Sequence, residues 1–175
     1  RPFHSFLVGS ASEMDLSHLF STNAIIKQLL KTEVLNNKNI DFKLDIFANK
    51  INNFDSFTNI FINSKIQEGL IDLDQTKFSW KNNVNFILSD SLIYVKEGKL
   101  VLDANSEINL INLNEIYKFL ITPKNLRKKI KKMNINFTYI FDEKTININD
   151  IKVDDVTDEN LVKNLNEIKL KENSL

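Results

Sequence analysis

Apolar and polar residues alternate along most of the segment 40–110. The pattern is clearest from Ile40 onward, where apolar side chains at every second position are separated by Asp41, Lys43 and Asp45. A period of two places successive side chains on opposite faces of a β-strand. The pattern therefore predicts an antiparallel sheet with one apolar face and one polar face.

Short polar or glycine-containing sequences separate the alternating stretches. Glu68-Gly69 and Glu97-Gly98 are typical of β-hairpin turns. Consecutive strands joined by such turns form a meander. The strands predicted in this segment are 40–48, 58–67, 70–73, 77–80, 83–88, 92–95, 99–103 and 106–111.

Helical spacing of apolar residues predicts three further elements. An N-terminal helix is expected at about 23–35, after a short strand at Phe6-Leu7-Val8. A pair of short helices is expected at about 112–133. Alternation then resumes through 135–141 and continues to residue 153, and a weakly helical tail follows.

Local stop and start signals define the helix pair. Asn112 is suited to cap the first helix, and Glu115 stands three residues later, as in a capping box. Thr122-Pro123 is expected to end this helix and to begin the second one. The apolar side chains of the pair are expected to pack against the end of the sheet: Ile116, Tyr117, Leu120, Leu126 and Ile130.

These elements predict a mainly β fold of the α+β class. We expect a curved antiparallel β-meander, forming a sheet or groove, with a short embedded helix pair and an N-terminal helix. Residues 12–16 and 106–110 are weakly similar in sequence, which favours an internal repeat, although the biased composition of the chain could also produce the match by chance. Because the chain begins at Arg1, we expect it to be a segment of a longer protein.

Composition excludes several classes of function. The 23 basic and 23 acidic residues balance, which argues against a dedicated nucleic-acid-binding protein. The absence of cysteine excludes disulfides and thiolate metal sites. His4 and His18 have no neighbouring residues in a metal-binding or catalytic pattern, and no glycine-rich phosphate-binding loop is present. No enzymatic activity, cofactor or metal is therefore expected.

A basic segment and a few acidic residues leave alternatives open. Six of the nine residues 124–132 are Lys or Arg, and they could contact phosphates or anionic headgroups or simply form a solvated helix face. Trp80 and Tyr94 are expected to pack rather than to bind a ligand. The following acidic residues lack the spacing of a calcium loop and are expected to be solvated: Asp72, Asp74, Asp150, Asp154 and Asp155.

The order of motifs resembles a known family. The segment 66–73 combines a strand, a glycine turn and a short strand, and Phe78-Ser79-Trp80 and an apolar strand at 100–110 follow it. Tyr117-Lys118-Phe119-Leu120, the basic run 127–130 and a closing strand pair complete the series. In this order the motifs resemble the C-terminal region of AsmA-like proteins, including the YhdP type, over residues 40 to 153.

The resemblance implies a function and a division of the chain. AsmA-like proteins are bacterial envelope proteins, anchored in the inner membrane by an N-terminal helix that this segment lacks. Their repeated periplasmic β-sheets form a groove for phospholipid transport in outer-membrane biogenesis. Residues 1–39 would then be the end of a preceding repeat plus a helix, 40–155 the β-groove segment, and 156–175 a C-terminal tail.

A groove of this kind would bind phospholipid acyl chains on its apolar side. The residues expected to line it are Phe42, Leu44, Ile60, Ile62, Phe86, Leu88, Leu100, Leu102, Phe137 and Tyr139. The alternative is a closed-core α+β scaffold or protein-interaction domain, in which helices or a second sheet cover the same residues and no lipid binds. Partner proteins in the envelope are not identified by the sequence.

Overall fold

The computed structural model describes residues 3–15, 25–32 and 34–172. The chain is mainly β, as the alternation predicts, with a large and mostly antiparallel sheet and few helices. The strands are β1 (Phe3–Met14), β2 (Ile40–Ile51), β3 (Phe54–Gln67), β4 (Leu70–Asp72), β5 (Lys77–Trp80), β6 (Val84–Lys96), β7 (Lys99–Leu110), β8 (Lys132–Ile140), β9 (Thr145–Val153) and β10 (Val156–Thr157). The helices are α1 (Ile25–Lys31), α2 (Leu113–Phe119) and α3 (Glu159–Glu172).

The ten strands form one sheet in the order β1-β2-β3-β4-β6-β7-β8-β9-β10. β5 also lies between β3 and β6, where it pairs with both strands beyond the end of β4. From β2 to β10 each pairing is antiparallel, so this part is a meander with β4 and β5 sharing one row. β1 pairs with β2 in parallel, and the connection between them contains α1.

Two predicted interruptions of the sheet are wrong. β6 and β7 are each continuous, whereas the sequence predicts a break in each strand. In β6 the sequence Ser89-Asp90-Ser91 forms a β-bulge inside the strand, and Asp90 has a φ of 47°. The Asp74 carboxylate accepts hydrogen bonds from the backbone N–H of Ser91 at 2.7 Å and from its hydroxyl at 2.8 Å. Because these bonds give the N–H and the hydroxyl of Ser91 an acceptor, the strand can continue through the bulge.

Of the predicted pair of helices, the first forms and the second does not. Helix α2 forms, and the side chain of its N-cap Asn112 accepts a hydrogen bond from the backbone N–H of Glu115 at 3.4 Å. The prediction of the second helix is wrong, because after Pro123 the chain forms only one short 3₁₀ turn, Lys124–Leu126. The Tyr117 hydroxyl bonds to the backbone N–H and carbonyl of Lys128, so these groups are not available to a helix.

The expected packing of this segment is also partly wrong. Ile116, Tyr117 and Ile130 are half-buried. Leu120 and Leu126, however, are each 62% exposed. The segment 111–131 thus forms a structured loop at one end of the sheet rather than a packed helix pair.

Helices α1 and α3 lie at two different margins of the sheet. Helix α1 confirms the predicted N-terminal helix, although the expected positions 23, 24 and 33 lie outside the described residues, as does His18. Helix α3 confirms the predicted helical tail and contacts β9. The side-chain amide of Asn166 in α3 bonds to both the N–H and the carbonyl of Ile148, at 3.1 and 2.9 Å, and so satisfies part of the β9 edge.

Candidate functional site

The strand register places the central apolar residues on one face of the sheet. Residues paired directly across neighbouring strands share a face. Ile66 pairs with Ile71, Ile71 with Ile93, Ile93 with Leu102, and Leu102 with Tyr139, which links five strands from β3 to β8. The same registers and the period of two place all ten residues of the expected groove on this face, which we call the apolar face: Phe42, Leu44, Ile60, Ile62, Phe86, Leu88, Leu100, Leu102, Phe137 and Tyr139.

The apolar face is only partly covered. Leu100 is 0% and Ile60 is 4% exposed. The other eight residues keep part of their surface in contact with water. Within the described ranges there is a single sheet, so no second sheet lies over this face. The partly exposed residues occur on β2, β3, β6, β7 and β8, so the incomplete cover extends across the apolar face.

Helix α1 closes one end of the apolar face. Leu30 is buried and packs in one cluster with Ile71, Ile93 and Leu100. The Lys31 ammonium lies 3.0 Å from the Asp142 carboxylate, which also accepts a hydrogen bond from the backbone N–H of Leu100. This ion pair joins α1 to the β8–β9 turn and holds the helix over the ends of β6 and β7.

Aromatic rings cluster on the apolar face toward the end that α1 does not close. Phe78 and Phe86 stack with ring centroids 4.8 Å apart, and Phe57 meets Phe78 edge to face at 5.7 Å. Trp80, at the end of β5 that lies away from α1, meets the Phe119 ring edge to face at 4.8 Å. The apolar face therefore continues through Trp80 onto the loop 111–131.

The opposite face carries a ladder of polar side chains. Tyr94 donates a hydrogen bond to one oxygen of Asp103 at 2.6 Å, and Thr138 donates to the other at 2.6 Å. Asn149 donates to Thr138 and to Asn136, at 3.2 and 2.8 Å. These bonds connect β6, β7, β8 and β9 on the face opposite the Phe78–Phe86 stack.

The ladder changes the acidity of its tyrosine. The hydrogen bond from Tyr94 to the Asp103 carboxylate, together with burial and the negative charge of that carboxylate, raises the pKa of Tyr94 to about 12. Asn136 also donates to Asn105 at 2.6 Å, and Asn105 donates to Asp90 at 2.9 Å. Sequence reasoning missed this ladder, although the polar half of the alternation is rich in Asn, Asp and Thr.

The side chains of the described residues that could bind a metal ion are dispersed. His4 lies 3.2 Å from the Asp41 carboxylate at the exposed edge of the sheet. In residues 3–15, 25–32 and 34–172, no three His, Asp or Glu side chains are grouped so that they could hold a metal ion. In the part of the chain that the structure describes, no helix has the length and apolar character needed to cross a membrane.

No protein-family model, curated protein or solved structure matches this chain.

Proposed function

We propose that the apolar face binds the acyl chains of lipids. The observation that carries this proposal is the partial exposure of eight of its ten residues. The part of the chain that the structure describes contains no second sheet that could cover them. A contiguous apolar surface of this kind is unusual for a protein with no apolar ligand or partner.

The energetics of lipid transfer fit such a surface. Exposing a chain of about 14 methylenes to water costs roughly 10 kcal/mol, because each methylene contributes about 0.8 kcal/mol. The sheet has nine rows of strands, so at a spacing of about 4.8 Å it spans roughly 40 Å from edge to edge. An acyl chain that lies along the apolar face would avoid most of the cost of exposure.

The resemblance to AsmA-like proteins supports a more specific form of the proposal. In this form the chain is part of a bacterial envelope protein that is anchored in the inner membrane. Its periplasmic groove carries phospholipids toward the outer membrane and supports outer-membrane biogenesis. Phospholipid is then the ligand, other envelope proteins are partners, and no catalytic step or cofactor is involved.

Native mass spectrometry of the purified protein tests lipid binding directly. We expect mass shifts that correspond to bound phospholipid, and uptake of a fluorescent phospholipid that unlabelled phospholipid displaces. A protein that is repeatedly lipid-free and takes up no fluorescent lipid would overturn the proposal.

The closed-core scaffold remains the second candidate because of the end of the face beneath α1. There Leu30 and Leu100 are 2% and 0% exposed, as in an ordinary protein core. If the rest of the face behaves like this end, it contributes to stability and binds no lipid. Substitution of Phe86, which is half-buried on this face, distinguishes the two candidates.

A further inference from the structure

The loop 111–131 between β7 and β8 exposes an unusual number of apolar side chains. Five of them are between 58% and 87% exposed: Ile111, Phe119, Leu120, Ile121 and Leu126. Phe54, the first residue of β3 at the same end of the sheet, is 60% exposed. Single exposed apolar residues are common, but a cluster at one end of a molecule marks a surface that contacts a partner or a membrane.

Ordered backbone holds these side chains outward. The N–H groups of Leu120 and Thr122 bond to the carbonyls of Ile116 and Tyr117, at 2.9 and 2.8 Å. Ile121 has a φ of 52°, a left-handed conformation that is unfavourable for a β-branched residue. The fold therefore holds Ile121, the most exposed apolar side chain of the loop, in water and in an unfavourable backbone conformation.

The loop is also the most basic part of the chain. Residues 111–131 contain six Lys and Arg and one Glu, a net charge of +5, whereas the rest of the chain has 17 basic and 22 acidic residues and a net charge of −5. Five of the six basic side chains are exposed and form no ion pair with another described residue: Lys124, Arg127, Lys128, Lys129 and Lys131.

The loop lies at the end of the apolar face that α1 does not close. The N–H of Ile111 bonds to the carbonyl of Asn83 in the β5–β6 turn at 2.8 Å. The N–H groups of Lys131 and Lys132 bond to the Asp154 carboxylate in the β9–β10 turn at 2.9 and 3.0 Å. The loop is thus tied to turns on both sides and forms part of a fixed surface.

We propose that the loop 111–131 docks the protein on the surface of an anionic phospholipid bilayer. Exposed Phe, Leu and Ile side chains can insert at the boundary between headgroups and acyl chains, while Lys and Arg neutralise lipid phosphates. A nucleic acid would match the charge but would leave Leu120, Ile121 and Leu126 in water. This docking goes beyond lipid binding by the apolar face and does not depend on it.

Vesicle flotation tests the proposal with the full chain. The protein should float with vesicles of phosphatidylcholine mixed with phosphatidylglycerol, bind weakly to phosphatidylcholine alone, and dissociate as salt is added. The apolar variant is Leu120→Asn combined with Ile121→Asn. We expect it to fold, because both side chains are exposed and Asn tolerates the left-handed conformation at 121, and to partition at least about tenfold less.

Charge is tested with a triple variant and a matched control. Lys124→Gln, Lys128→Gln and Lys129→Gln together should lower partitioning at least about tenfold and reduce its dependence on salt. The control removes three exposed lysines at the opposite end of the sheet: Lys38→Gln, Lys96→Gln and Lys144→Gln. It should float nearly as well as the wild type.

Three outcomes overturn the docking proposal. These are failure of the wild type to float with the anionic vesicles, equal losses in the loop and control variants, and binding to heparin or an acidic protein without binding to vesicles. The two sites should be separable. The Phe86→Glu protein should still float with the vesicles, and the loop variants should still take up fluorescent lipid that is supplied in detergent. A wild-type protein that floats with the vesicles but takes up no fluorescent lipid would contradict lipid binding by the apolar face and leave the docking intact.

Discussion

Phe86 is the residue at which the two candidate functions make opposite predictions. It stacks on Phe78 on the apolar face and is half-buried. On an open face, the carboxylate of Phe86→Glu can reach water, so the protein should stay folded and lose most of its lipid uptake. In a closed core, the same substitution would bury an unpaired charge and lower the free energy of unfolding by several kcal/mol, on the order of 3 or more.

Ile87→Glu is the matched control, because the next residue of the same strand points to the polar face. Ile87 pairs with Lys77 and Glu107 in the neighbouring strands, and Lys77 offers the new carboxylate a partner. Thermal melting and lipid uptake should be measured on the same samples. A folded Phe86→Glu protein with wild-type uptake would contradict binding at this point of the apolar face.

Tyr94 provides a prediction about pH. Its pKa is raised from about 10 to about 12 in the folded protein, so the protonated form is favoured by folding. The stabilisation is therefore complete below pH 10 and is lost as the pH rises toward 12. Between these values the wild type should lose on the order of 1 to 2 kcal/mol more stability than Tyr94→Phe in urea titrations. Asp103→Asn should remove most of this difference and leave the smaller part that burial of Tyr94 causes, whereas an undiminished difference would mean that another group is responsible.

At the scale of elements, the β6 bulge depends on one carboxylate. Ser91 is 1% exposed, and Asp74 is the acceptor for both its N–H and its hydroxyl. Asp74→Ala would leave these buried donors without a partner and should lower the free energy of unfolding by about 2 to 3 kcal/mol. Asp55→Ala removes a carboxylate that is 85% exposed and should change stability by less than about 0.5 kcal/mol. Equal effects in chemical denaturation would show that Asp74 does not hold the bulge.

The bulge and the missing helix show where the pattern of the sequence stops being sufficient. Ser89-Asp90-Ser91 has the composition of a turn, and only the distant Asp74 makes it part of a strand. Pro123 and the lysines after it are favourable for a helix, but the hydroxyl of Tyr117 takes the backbone groups of Lys128. In both cases a tertiary hydrogen bond decides the local structure, and no local pattern encodes it.

The two faces differ in how far the sequence predicts them. The period of two identifies the apolar residues of each strand, because burial requires only that the side chains be apolar and alternate. The polar ladder depends on the pairing of Asn105 with Asn136 and of Asp103 with Thr138. These pairings require the strand register, which alternation alone does not fix. The ladder therefore became visible only in the structure.

At the scale of the whole molecule, the two edges of the sheet are unlike. The β9 edge is covered by β10 and by Asn166 of α3. β1 has one partner strand among the described residues, so about half of its backbone amides face away from the sheet. In hydrogen–deuterium exchange we expect alternate amides of β1 to exchange fast, while those of β7, which is paired on both sides, exchange slowest. Uniform protection along β1 would show that another strand covers this edge.

The polar ladder has a consequence for how the protein can change over evolutionary time. Its bonds join four strands without using any side chain of the apolar face, so mutation can act on the two faces separately. Ile, Leu, Val and Phe can replace one another at positions such as Phe86 and Leu102 while the surface remains suited to an apolar ligand. Asp103 and Thr138 can change only together, since replacing either residue removes the hydrogen bond that the other one makes with it. Among descendants of this chain, the ligand-facing surface should therefore drift in identity while the opposite face retains its pairs.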